Sequence, residues 1–288
     1  MQIFVSSLGF GVIVAAVLLV ATVGFTLQYA ISGVFNLAYG AIMSVAMLIA
    51  YLLNSHGWNI WPCVVVVAAV GAVLSWALER GIVRPMLKRR ATSWVMMIVT
   101  FAVGIIIEMV VLATWGPEYS SYKLTGGNHQ IGWLFFTTND FWIVVVAFGT
   151  ALAVAALLRF TQLGRAMRGT ASNPVLARSC GIRTERILSR TWLVSGALCG
   201  AGGALLAVDI GSFTYNTWET FVPLIIAAAI LGGIGSPAGA MAGSVVIGVV
   251  SSVAAGYLSP AYQDVVALGI LIAALLVRPR GLFAAAAA

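Results

Sequence analysis

Charge is what this chain lacks most. Only 8% of its 288 residues are Asp, Glu, Lys or Arg, against 61% hydrophobic, whereas roughly a quarter of a water-soluble domain is charged. An ordinary soluble fold is therefore excluded, and the class is membrane protein. No charged residue precedes Glu79, which leaves room for about three spans at roughly 20 residues each. Residues 1–7 carry no positive charge and no hydrophilic segment follows them, so a cleaved signal peptide is not expected. The histidines are only His56 and His129, both between apolar runs, and no His-Glu-x-x-His metal motif is present. A Gly-rich phosphate loop ending in Gly-Lys-Ser or Gly-Lys-Thr is also missing, so any active transport must draw its energy from another subunit. Cys63, Cys180 and Cys199 lie too far apart for a metal site or disulfide framework and read as small apolar side chains.

What is present is a series of apolar runs at about 8–29, 35–53, 60–78, 94–114, 141–158, 191–208, 220–231, 238–256 and 262–277. Most are long enough to cross about 30 Å of hydrocarbon as helices. The run at 220–231 is shorter, and is either a short crossing or a re-entrant segment. The net charge of +7 resides in two loops and a tail rather than on a solvated face, so nucleic acid is not implied. Of the 15 basic residues, all but Lys123 lie at 80–90, 159–190 and 278–280. Positive-inside bias makes those regions cytoplasmic. The expected fold is thus all-α, a polytopic membrane protein of about eight to nine transmembrane helices, amino terminus outside and carboxyl terminus inside. The outer loop 115–140 holds Pro117, Gly126, Gly127 and Asn128 for turns, and Trp133, Phe135 and Phe136 for the interface. Residues 1–283 form one domain; the alanine run 284–288, a cloning scar or a tail without assigned role, is set aside.

Ionisable groups at membrane depth persist where they act, and Glu108, in the outer half of its run, is the one candidate. Either it faces an aqueous path and meets an ammonium group, or it is a carboxyl hydrogen-bonded within helix packing. Gln28, Asn36 and Tyr39 are further path candidates, with interhelical hydrogen bonding the favoured role for the two amides. Gly196 with Gly200, and Gly235 with Gly239 and Gly243, have the spacing of close helix packing. Gly232, Gly233, Gly235, Pro237 and Gly239 interrupt two apolar runs at the cytoplasmic face, as a tight turn or as a broken helix beside a cavity.

Between 161 and 190 the chain reads TQLGRAMRGTASNPVLARSCGIRTERILSR. Asn173 suits an N-cap, Pro174 the first helical position and Gly181 a left-handed close, which predicts a short helix over about 174–180. Thr184 is expected to cap the helix that follows. Val175, Leu176 and Cys180 offer an apolar surface for a groove on a partner, and Arg178 is either solvated or paired with a partner's carboxylate.

This loop resembles the coupling loop of branched-chain amino-acid ABC transporter permeases of the LivH type. The resemblance extends over nearly the whole chain. Asn36-Leu37-Ala38-Tyr39-Gly40 is similar to that family's Asn-Phe-Ala-His-Gly, with Tyr39 in place of its histidine; 231–239 resembles its Leu-Gly-Gly turn, and 278–283 its usual ending. The broader importer pattern Glu-Ala-Ala, three residues, Gly falls on Val175, Leu176, Ala177 and Gly181, where only Ala177 and Gly181 match. The resemblance implies a multi-pass permease of the bacterial inner membrane, without an ATPase site of its own. It further implies a second related permease chain, two cytoplasmic ATPase subunits that hold ATP and Mg, and an extracytoplasmic solute-binding protein delivering a small amino acid. Coupling residues would be Asn173, Pro174, Val175, Leu176, Ala177, Arg178 and Gly181. Rival readings are a same-family importer of urea, amides or another amino acid, an ion-coupled carrier or channel acting alone, and a non-transporting scaffold.

Overall fold

A computed structural model describes residues 2–124, 127–131, 134–259, 262–277 and 281. The tail arginines Arg278 and Arg280, the remainder of the ending other than Gly281, the alanine run 284–288, and Gly126 and Trp133 lie outside these residues.

The chain is helical almost throughout. Helices α1 (Gln2–Ser32), α2 (Ala38–Ser55) and α3 (Ile60–Leu78) come first. A π-helical turn (Glu79–Val83) carries α3 without a break into α4 (Arg84–Lys88). Then follow α5 (Ser93–Trp115), the short strands β1 (Ser120–Ser121), β2 (Asn128–Ile131) and β3 (Leu134–Thr137), and α6 (Thr138–Phe160). The second half comprises α7 (Gln162–Ser172), α8 (Pro174–Ser179), α9 (Thr184–Ile210), β4 (Ser212–Phe213), α10 (Thr217–Gly232), α11 (Pro237–Tyr257) and α12 (Gln263–Val277). Among the described residues seven helices are long and apolar enough to cross a membrane, and two shorter apolar ones, Thr217–Gly232 and Gln263–Leu276, fall on the remaining expected runs.

One expectation of loop is corrected. Arg80, Arg84 and Lys88 were placed in a connection, yet Ile60–Lys88 is one helix of 29 residues, about 43 Å long at 1.5 Å per residue. Pro85 ought to break it, since proline lacks an N–H and its ring collides with the preceding turn. The wider π turn just before it relieves that collision, with the Arg84 N–H reaching back to the Glu79 carbonyl. The segment 161–172, at the start of the loop 161–190, is likewise helical as α7.

Small residues decide which helices form the interior. Gly71 of α3 meets Gly196 and Gly200 of α9 backbone to backbone, and a Cβ at any of the three would strike the facing main chain. On the other side of α9, Gly202 lies on Ala21 of α1 and Gly203 on Met43 of α2. In lipid, apolar burial gives little drive to associate, so such close approach supplies the van der Waals attraction. The α10–α11 hairpin uses the same device, with Gly239 and Gly243 on Gly232 and Ala228. Its turn is a tight one, with Gly233 at φ +102° and Gly235 at φ +91°; Ser236 accepts the Gly239 N–H at 3.2 Å and Pro237 opens α11.

The connection at 33–37 is not helical, and within it Val34 and Asn36 are buried while Gly33 is exposed. Thr100, about two turns inside α5, donates to the Phe35 carbonyl at 3.2 Å and accepts the Leu37 N–H at 3.3 Å. The Phe35 ring packs on Tyr29 of α1, 4.7 Å between centroids, so the chain doubles back beside α1. Irregular backbone survives at membrane depth only where protein or trapped water satisfies it. On the opposite side of the bundle β1 pairs with β4 antiparallel, and Asn54 and Lys123 exchange hydrogen bonds at 2.7 and 3.3 Å. Tyr122 donates to the Met47 carbonyl at 2.8 Å; burial pushes its phenol well above its ordinary pKa, which keeps it a donor.

Candidate functional site

Three places in the molecule gather the chemistry-bearing residues. The first is the 161–190 segment. Thr161 accepts the Gly164 N–H at 3.0 Å to start α7, and Gly164, where a Cβ would strike Leu157 and Leu158, lets α7 fold back on the end of α6. Arg168 donates to the Leu158 carbonyl there. Asn173 caps α8 by accepting the N–H groups of Val175 and Leu176 at 3.1 and 3.0 Å, with Pro174 next to it. Gly181 closes it at φ +80°. The six residues of α8 thus project on a defined mount, Val175 71% and Leu176 61% exposed, while Ala177, at 5%, turns inward. Cys180 is exposed, unlike the buried Cys63 and Cys199.

Thr184 does not cap α9. That position belongs to Arg183, which makes no side-chain cap, because the buried Thr184 hydroxyl accepts Arg178 Nε at 2.8 Å. A second polar cluster adjoins it. Glu79, fully buried, takes Arg84 on both carboxylate oxygens at 2.8 and 3.3 Å and the Ser189 hydroxyl at 2.8 Å. Arg84 and Lys88 also face Glu185 at 3.9 and 3.5 Å. Sequence reasoning missed this cluster because residues five apart do not face each other on an α-helix; the π turn brings Glu79 and Arg84 together. The root of α9 is therefore clamped to α3–α4 on one side and to α8 on the other.

The second place is interior. Gln28 accepts the Ser195 hydroxyl at 3.2 Å, an α1–α9 hydrogen bond of the favoured kind, and its amide nitrogen has no partner among the described residues. Tyr39 donates to the Ala21 carbonyl at 2.9 Å, and its own carbonyl accepts the Cys199 thiol at 3.2 Å. Asn36 serves its own strand of chain instead, accepting the Ala38 N–H at 3.2 Å at the start of α2. Its amide nitrogen is also buried and unpaired.

Glu108 is in neither place. It lies in a groove of about 380 Å³ between α5 and the start of α10, with Glu219 and Trp218. The neighbourhood of Glu219 and Glu108 has no signal in the sequence. Among the described residues no cluster of three or more His, Cys, Asp or Glu could hold a metal ion.

A family described as branched-chain amino acid transport system, permease component, matches residues 7–275. The chain is similar to the high-affinity branched-chain amino acid transport system permease protein LivH of Escherichia coli strain K12, 29% identical over 94% of this chain and 92% of that one. It is 30% identical to the probable branched-chain amino acid transport permease protein LivH of Methanocaldococcus jannaschii, covering 94% and 90%. The high-affinity permease protein BraD of Pseudomonas aeruginosa is 28% identical, covering 94% and 93%. No solved structure matches the chain.

Proposed function

This chain belongs to the branched-chain amino acid transport permease family, and from that premise we propose that it is the transmembrane subunit of an ATP-driven importer of branched-chain or similar small amino acids. In this reading it pairs with a second related permease chain in the inner membrane, receives solute from an extracytoplasmic binding protein, and is driven by two cytoplasmic ATPases that hold ATP and Mg. The face with α4, α7 and α8 is cytoplasmic, which puts the amino terminus outside and the carboxyl terminus inside. Solute passes by alternating access, with the unpaired amides of Gln28 and Asn36 as donors along the way and Tyr39 as part of the wall.

The observation that carries the reading is α8. Two large apolar side chains stand in water on a helix fixed at both ends, the form an element takes when it docks in a partner's groove. Its mount reaches α6 through Gly164 and α9 through Arg178, so a push on α8 enters the bundle at two helices. Because Ala177 faces the chain itself, contact falls to Val175 and Leu176. The test is the double variant Val175→Asp, Leu176→Asp in the reconstituted importer. It should insert normally and bind no ATPase, with ATP-driven leucine uptake lost; wild-type coupled uptake would sink the proposal.

A further inference from the structure

We propose that the groove between α5 and the amino-terminal turn of α10 binds the ammonium group of an α-amino acid, held between Glu108 and Glu219. The proposal rests on the importer reading and deepens it by assigning the residues that meet the solute.

Two observations converge. Glu108, only 5% exposed, lines the groove without a hydrogen bond or ion pair among the described residues, on a helix whose outward face is otherwise apolar, with Ile105, Ile106, Met109 and Val110 exposed. A carboxylate at membrane depth without a partner is expensive, and it is retained where something else supplies the missing charge. Glu219, exposed on the first turn of α10, lines the same groove. Among the described residues no Lys or Arg forms an ion pair with either of the two glutamates. The pair therefore calls for a cation from outside the chain.

Trp218 lines the same groove and is 7% exposed. Its ring rests on Gly40 of α2, where a Cβ would collide with Trp218 and Val222, so the α10 wall of the groove is fixed in place. Two acceptors for an ammonium, beside the apolar Phe101 and Ile105, match the cationic group and the side chain of a branched-chain amino acid.

The assembled permease–ATPase complex, without binding protein, is loaded with radiolabelled leucine and challenged with isopentylamine, which keeps the ammonium, or 4-methylpentanoate, which lacks it. Isopentylamine should displace leucine and 4-methylpentanoate should not. Glu219→Gln should weaken leucine binding roughly tenfold or more, and Glu219→Asp should restore it; Glu108→Gln should do the same as Glu219→Gln. If Glu108→Gln does not assemble, the exposed Glu219 still decides. Wild-type binding in Glu219→Gln, displacement by 4-methylpentanoate equal to that by the amine, or no specific leucine binding at all would overturn the site. ATP-dependent leucine uptake by the complete wild-type importer is measured in parallel. Uptake with charge-independent binding removes the groove and leaves the importer; amine-sensitive binding without uptake removes the importer and leaves the groove.

Discussion

Helices α6 and α9 invert the usual expectation of what goes inside. The more apolar of them, α6, has a mean hydropathy of 2.5 in its best window, of which 17% is buried, whereas α9 reaches 1.8 and is 72% buried. In water the greasier helix would fill the core. In lipid the solvent is as apolar as leucine, so burial goes to the helix that others can approach most closely. Gly196, Gly200, Gly202, Gly203 and Ala204 make α9 that helix, and α6 presents Phe141, Phe148 and Leu152 outward.

The sharpest way to break this comparison is to put the same side chain on both helices. Gly200→Leu should abolish the folded protein, because even a Cβ there strikes the Val67 main chain of α3, while Gly149→Leu on α6, with nothing within 4 Å, should leave expression and the melting temperature in detergent unchanged. Equal behaviour of the two would end the argument. Next in size, Arg84→Ala leaves the buried Glu79 without its cation at the root of α9. Such losses cost about 3–5 kcal/mol when both partners are buried; Arg84 is 20% exposed, so about 2 kcal/mol is expected after solvent screening, read as a lower denaturation midpoint. Tyr122→Phe, which removes the hydrogen bond to Met47 on the far side of the bundle, should cost about 1 kcal/mol. Smallest of all, Phe148→Leu on the exposed face of α6 should fall within about 0.5 kcal/mol of wild type.

Much of this architecture was legible because its signals are local. Apolar runs located the nine segments, and Asn173, Pro174 and Gly181 punctuated α8 because caps act within one turn. The Gly196 and Gly200 spacing announced close packing, though it could not name Gly71 as the partner. The rest depended on contacts between distant segments. Thr184 looked like a cap until Arg178 claimed its hydroxyl. Glu79 and Arg84 looked like loop charges because only a π turn makes them neighbours. Glu108 stood out in the sequence as a carboxylate at depth, but Glu219 and Trp218 reach it only through the packing of α10.

The half-buried connection at 33–37 also sets an order of events during synthesis. Its carbonyl at Phe35 waits for the Thr100 hydroxyl, 65 residues later. At roughly 5–20 residues per second that wait is about 3–13 s. Bare peptide groups do not rest in hydrocarbon for that long. The newborn α1–α2 hairpin must therefore hold this stretch near water and draw it inward only when α5 arrives to receive it.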